Sequence, residues 1–353
     1  MDTQIDQRTD RFDPGTQELD ELLGRFVGDL GATISAGNVL IGDRLGLYRA
    51  LAEQGPLTPA ELAATTGTAE RYVREWLPGQ AAGGYVSYGE GRYWLSDAQA
   101  TAFADPDGLS LPGAFELAVS SLADEPMIRE AFRTGEGVPW GSHHAGVFTG
   151  CERFFRPGYV ANLVSSWIPA VDGLHETLSR GTVVADVGCG VGASTRILAE
   201  TYPTSTVIGF DPHRESIELA RKAAPRDFRV ASAQDFPGTG YGLVTTFDAL
   251  HDMGDPVGAA RHVREALADD GVWLVVEPYA GATVADNLTP VGRVYYSFST
   301  FLCVPHAISE GADDALGNQA GEPPIADVVT AGGFRTFRRV AETPFNLVYE
   351  ARP

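Results

Sequence analysis

The sequence predicts an α/β fold: a doubly wound, seven-stranded sheet closed by an antiparallel C-terminal hairpin and preceded by a mainly α winged-helix domain. Three observations carry this. From Thr182 onward, apolar runs of strand length alternate with helical patterns, as parallel strands joined by helices require. The last two apolar runs are separated only by Thr343-Pro344, too short a link for a parallel crossover, so they pair antiparallel. Ahead of the sheet, helical patterns and two short alternating runs joined at Gly89-Glu90-Gly91 follow in the order of a winged helix.

With 353 residues the chain has length enough for two domains. Residues 1–18 are polar and lack helical periodicity, so a flexible tail is expected. Residues 19–54 read as two helices. The first shows Leu22, Leu23, Phe26, Val27 and Leu30 on one face, and the second carries Leu40, Ile41, Leu45, Leu47, Tyr48 and Leu51. In the next helix Thr58 is a suitable N-cap, Pro59 fits the first helical position, and Glu61 completes a capping box. Gly67-Thr68 ends it, a helix over 70–80 follows, and strands over 85–88 and 92–95 form the wing. Pro106-Asp107-Gly108 closes this domain, which spans 19–108.

Residues 109–178 are helical and rich in aromatics, among them Trp140, Phe154, Phe155 and Trp167, and are expected to act as linker and lid. The sheet domain occupies 179–353. Its strands are expected at 183–187, 206–210, 228–232, 243–247, 271–277, 336–342 and 345–350, with a substrate-binding insertion at about 279–322.

Net charge is −21 and Lys222 is the only lysine, a balance that disfavours nucleic acid and anionic membranes as partners. No apolar stretch has membrane-spanning length, and the N-terminus is unlike a signal peptide. Cys151, Cys189 and Cys303 show neither pairing nor metal-ligand spacing, which points to a reducing, cytoplasmic setting.

The chemistry centres on Asp186-Val187-Gly188-Cys189-Gly190-Val191-Gly192, which follows an apolar run, and on Asp211, which ends the next one. A strand that stops in glycines and opens a helix lets backbone approach a ligand closely, and an acid at the next strand end reaches ribose hydroxyls. An adenosine-containing cofactor follows. Gly188-x-Gly190-x-x-Ala193 also satisfies the nicotinamide fingerprint. Three features oppose that reading: Asp186 would repel a pyrophosphate but help hold an ammonium group, Gly192 adds a third close approach, and the sheet closes in a hairpin.

Asp186 to Gly192, Asp211, Gln234-Asp235-Phe236, Phe247 to Asp252 and Gly271 to Pro278 resemble the successive motifs of class I S-adenosylmethionine-dependent methyltransferases, whose sheet is Rossmann-like. With the winged helix in front, the chain from about 19 to 353 resembles bacterial two-domain members of this class, whose N-terminal domain is similar to the dimerisation domain of plant-type O-methyltransferases. The resemblance implies S-adenosyl-L-methionine as cofactor, S-adenosyl-L-homocysteine as product, and a homodimer formed through the N-terminal domain.

It also implies roles. Asp186 and the backbone of Gly188, Cys189 and Gly190 would cradle the methionine part, and Asp211 would take the ribose hydroxyls. Asp235, beside Gln234, would accept from the adenine amino group, with Phe236 and Pro212 packing on the ring. Phe247 would lie beside the donor methyl, with Asp248 next to it among the cofactor-binding residues. His251-Asp252 resembles the His-Asp-Trp segment that carries the general base in plant-type O-methyltransferases, with Met253 in place of the tryptophan. His251 is therefore the catalytic candidate, expected to titrate near neutrality; the alternative is a strand-end residue that only bounds the pocket.

Trp140, His144, Phe155, Tyr295, Tyr296 and His306 are candidates to line an acceptor pocket for an apolar or aromatic metabolite. His251 with His306 could hold a metal, but no short ligand spacing supports it and no metal is assigned. His175, His213 and His262 read as helix-surface residues. The competing function is a winged-helix regulator that senses S-adenosylmethionine without transferring methyl. Against it, Glu70 and Glu75 offset Arg71 and Arg74 in the helix that would read DNA.

Overall fold

The computed structural model describes residues 17–105 and 108–353; of the expected tail over 1–18, residues 1–16 lie outside the described residues, as do Pro106 and Asp107, while Gln17 and Glu18 are helical. The chain divides into two compact units, Met1–Pro106 and Asp107–Pro353.

The first unit runs α1 (Gln17–Arg44), α2 (Leu47–Gln54), α3 (Pro59–Thr66), α4 (Glu70–Ala82), β1 (Ser87–Gly89), β2 (Arg92–Trp94) and α5 (Asp97–Phe103). One expectation needs correction. Residues 17–44 form one continuous helix, already begun at Gln17, and the break falls at Gly46, whose φ of 71° suits glycine. Around α3 the local chemistry is as read: Thr58 accepts from the Glu61 backbone, and the Glu61 side chain accepts from the Thr58 N–H at 2.8 Å. Tyr48, Leu51, Leu62, Val73, Trp76 and Leu77 form the buried interior. The Tyr48 hydroxyl and Gln80 are hydrogen-bonded at 2.5 Å within it. By contrast, Leu22, Leu23, Phe26, Val27, Leu30 and Ile34 on α1 are all exposed.

The second unit opens with α6 (Leu111–Ala123), α7 (Glu125–Thr134), α8 (Gly146–Asn162) and α9 (Leu174–Arg180). Strand–helix alternation then gives β3 (Val183–Val187), α10 (Ala193–Thr201), β4 (Thr206–Asp211), α11 (Arg214–Ala223), β5 (Asp227–Val230), β6 (Tyr241–Phe247), α12 (Pro256–Ala266) and β7 (Leu267–Pro278). Helices α13 (Pro290–Phe298), α14 (Val304–Ser309) and α15 (Glu322–Ala331) precede β8 (Thr336–Glu342) and β9 (Asn346–Arg352). The seven strands are ordered β5-β4-β3-β6-β7-β9-β8. Pairings from β5 through to β7 are parallel, whereas β9 runs antiparallel to both β7 and β8.

Successive strand residues face opposite layers. Ala185, Val187, Val244, Trp273 and Val275 pack with Ala259, Val263, Ile325 and Val329 of α12 and α15. Val184, Leu243, Leu274 and Val276 pack with Tyr159, Trp167, Leu178 and Leu198 on the other face. Burying such side chains supplies about 1.5–3 kcal/mol each, which makes the sheet a rigid platform for its strand ends. The order reverses between β3 and β6, and open α/β sheets bind ligands at such a switch point, outside the strand carboxyl ends.

Candidate active site

A cavity of about 440 Å³ opens at those strand ends. Of the residues singled out from sequence, Gly188, Cys189, Gly190, Asp211, Pro212, Gln234, Phe247, Asp248, His251, Trp140, Phe155, Tyr295 and His306 line it. Asp186, Gly192, Asp235, Phe236, His144 and Tyr296 do not.

The glycine turn is built from β3 outward. The N–H groups of Gly188 and Cys189 both donate to the Phe210 carbonyl, at 2.8 and 3.0 Å, which locks the turn to the end of β4. Asp211 accepts from Gly190 N–H at 2.9 Å and from His213 N–H at 2.8 Å, so both its oxygens are oriented before any ligand arrives. Burial raises the Asp211 carboxyl above its ordinary value, and these backbone donors oppose the shift. Gly190 has φ 52°, and a Cβ there would meet nothing within 4 Å, so the turn offers a ligand bare backbone on the cavity side.

Several assigned roles change. Asp186 is buried beneath the turn: Oδ2 accepts from the hydroxyls of Ser194 and Thr195 at 2.7 and 2.5 Å, and Oδ1 from Thr245 at 2.9 Å. It holds β3, α10 and β6 together and does not face the cavity. Gly192 is required by Phe228, whose ring a Cβ would strike. Asp235 is exposed and accepts from the N–H and hydroxyl of Ser232, both at 2.7 Å. Phe236 packs in the core against Phe210 and Tyr241, so Pro212, Ala233 and Gln234 form the cavity wall here. His144 is exposed, and its Nδ1 accepts from Gly146 N–H at the start of α8. Its neighbour His143 is the buried one, with Nδ1 2.9 Å from Asp124. His213, read as a surface residue, lines the cavity and sits against Phe148.

At the end of β6 a 3-10 turn, Leu250–Asp252, presents His251, only 2 % exposed. Its Nδ1 lies 2.6 Å from Oε2 of Glu277 at the end of β7. Glu277 also accepts from Leu250 N–H at 3.0 Å, so one carboxylate fixes both the turn and the ring. Nε2 lies 3.1 Å from Oδ1 of Asp252, an oxygen without hydrogen-bond geometry to any partner. Burial lowers the His251 value, but the charges of Asp252 and Glu277 outweigh it and raise it well above the usual histidine range. The expected titration near neutrality is therefore corrected upward.

Sequence reasoning passed over Glu277, Tyr159 and Cys303. Glu277 was visible as an acid at the end of an apolar strand, as Asp211 was. Cys303 ends a π-helical turn, Ser299–Cys303, between α13 and α14, and π-turns of this kind frequently mark functional sites. His251, Asp252 and Cys303 bring donor atoms within 4.8 Å of one another; His306 is not part of that group. His306 instead lies beside Trp140, with ring centroids 5.7 Å apart, and its Nε2 is 3.6 Å from Glu310.

Residues 178–321 match a methyltransferase domain model, and residues 33–104 match an Rv2258c-like winged helix-turn-helix model. The chain carries a methyltransferase domain behind a winged helix. Curated relatives of the methyltransferase domain include a 2-methyl-6-phytyl-1,4-hydroquinone methyltransferase from Synechocystis, 28% identical over 39% of this chain and 45% of the relative. A demethylspheroidene O-methyltransferase from Rhodobacter capsulatus is 31% identical over 33% of this chain and 30% of the relative. The chain thus spans less than half the length of these relatives. Human N-acetylserotonin methyltransferase, solved with S-adenosylmethionine, shares the fold over 97% of this chain and 99% of its own at TM-score 0.70 and 16% identity. The mitomycin 7-O-methyltransferase MmcR shares it over 96% and 100% at TM-score 0.67 and 15% identity.

Proposed function

We propose that the protein transfers a methyl group from S-adenosylmethionine to a hydroxyl of a small apolar or aromatic metabolite, with His251 acting on the acceptor oxygen. The observation that carries this is His251, clamped by Glu277 and facing the same cavity as the glycine turn and Asp211. The open space at Gly190 and the pre-oriented carboxylate of Asp211 suit the adenosine part of that cofactor, as do Pro212 and Gln234 beyond them. Bound there, the cofactor supplies an electrophilic methyl on a sulfonium and leaves as S-adenosylhomocysteine.

The protein's part is alignment and proton control. In-line displacement needs nucleophile, carbon and sulfur collinear, and such positioning supplies about 7–11 kcal/mol. Phe247, buried against Tyr159 and Trp167, forms a stiff wall beside the turn. As an imidazolium, His251 stabilises an acceptor oxyanion through Nε2; once that proton is lost, it serves as the base. Trp140, Phe148, Phe154, Phe155 and Phe298 supply an aromatic lining, and among the described residues no Lys or Arg lines the cavity. A carboxylate-bearing acceptor would find no Lys or Arg there to meet it, whereas a phenol or enol fits. Replacing His251 with alanine is expected to lower turnover by about 10²–10⁴-fold with cofactor affinity unchanged, read with a methyl-labelled donor. Unaltered turnover would remove His251 from the mechanism.

The regulator reading is not favoured. In α4 the pairs Arg71–Glu75 at 2.6 Å and Arg74–Glu70 at 3.3 Å offset the basic charge that phosphate contacts need. Homodimerisation is the better use for the first unit, because the exposed apolar face of α1 calls for a second apolar surface. Among the described residues no helix is long and apolar enough to cross a membrane.

A further inference from the structure

Strand β3 is flanked in the sheet by β4 and β6, and an acid stands at the end of each neighbour. Asp211 ends β4 on one side of the glycine turn, and Asp248 directly follows β6 on the other. The turn touches this second side closely, since a Cβ on Gly188 would sit 2.7 Å from the Ala249 side chain. Asp211, Pro212 and Gln234 define the adenosine side of the cavity. A ligand with its adenosine on that side would run its amino-acid end over Gly188 toward β6.

There, Asp248 Oδ2 accepts from the Tyr159 hydroxyl at 2.7 Å and Oδ1 accepts from Asn346 Nδ2 at 2.9 Å, two neutral donors. Among the described residues no Lys or Arg lines the cavity, and the nearby cavity acid Glu152 is already paired with Arg196 at 2.7 Å. The His251 ring is held through Nδ1 by Glu277 and makes no hydrogen bond to Asp248. Asp248 is also a non-glycine residue at φ 49°, a conformation that persists only when its surroundings hold it and that is common at ligand clamps.

We propose that Asp248 binds the α-ammonium group of the cofactor's methionine part, the role that the motif reading gave to Asp186. The proposal rests on S-adenosylmethionine being the cofactor. Asp186 cannot serve, because three hydroxyls occupy its oxygens below the turn. An ammonium against Asp248 makes a charge-assisted hydrogen bond, about twice as strong as one between neutral groups. Burial pushes the Asp248 carboxyl up to about 8, and a cation at the site relieves that strain.

The test is calorimetry on the full chain with S-adenosylhomocysteine, its deaminated analogue that keeps the carboxylate, and methylthioadenosine, which lacks the amino-acid part. Wild type is expected to bind S-adenosylhomocysteine about tenfold or more tightly than the deaminated analogue. Asp248→Asn should shrink that gap to about twofold and leave methylthioadenosine binding as it was. Equal wild-type affinity for the first two ligands overturns the assignment without any variant, so a misfolded Asp248→Asn does not shelter it. A gap that persists in Asp248→Asn overturns it too, as does an equal loss for all three ligands. Wild type that binds none of the three overturns the cofactor reading itself and the assignment with it.

Discussion

Glu277 and His251 show what a single side-chain contact decides. A histidine at a strand end carries an ordinary pKa near 6.5, but the two carboxylates at its ring nitrogens hold the proton longer. Turnover is therefore expected to rise with pH through an apparent value above 6.5 that belongs to the His251–Asp252–Glu277 cluster as a whole. Glu277→Gln removes one stabilising charge from the imidazolium. Its rising limb should move to lower pH and kcat should fall, with KM for the acceptor little changed; a limb left in place would show that Glu277 does not tune the ring. At this scale the sequence was legible in part. Residue type and interval located Asp211, Gly190 and His251 at strand ends. Which way a side chain points there was not legible, because it depends on partners far away in the chain. Thr245 captures Asp186 from 59 residues away, and Phe210 and Tyr241 draw Phe236 into the core.

Helices and strands were more legible, because they follow from periodicities written into short stretches. The strand alternation from Val183 to Val276 and the Thr58–Glu61 capping box are local signals, and the fold obeys them. The long α1 is where local reading fell short. Its apolar face was legible but its extent to Arg44 was not, and Leu22, Phe26, Leu30 and Ile34 lie exposed along it. An isolated helix keeps such a face only with a partner, and a second copy of α1 is self-complementary. The double change Phe26→Asp and Leu30→Asp is expected to convert a dimer to a monomer in analytical ultracentrifugation. The same sedimentation for wild type and variant would show that α1 is not the interface.

For the whole molecule, the titrating groups of the site make stability depend on pH. Asp248 is raised to about 8 when folded, so between the ordinary carboxylate value and 8 the folded state holds a proton that the unfolded state has lost. Stability must then fall as pH rises through that window. His251, raised from 6.5, acts in the same sense: its contribution is complete below 6.5 and is lost as pH climbs through its folded value. Asp252, with a lowered value, matters only at acid pH, where its contribution is lost. Without ligand, Tm is expected to decline from about pH 5 to about pH 9, and Asp248→Asn should flatten the decline. A Tm that rises over that range would contradict the charges assigned to the cavity.

The site is thus a preformed glycine turn and acid on one side, and a carboxylate-clamped histidine on the other, joined by one cavity at the switch point of the sheet. Each catalytic role proposed for these residues depends on a methyl donor binding at the glycine turn. The direct measurement is parallel calorimetric titration of the full chain with S-adenosylmethionine and with NAD. Saturable, one-to-one binding of S-adenosylmethionine with no heat from NAD is the expected result; saturable binding of NAD with none of S-adenosylmethionine would contradict the account.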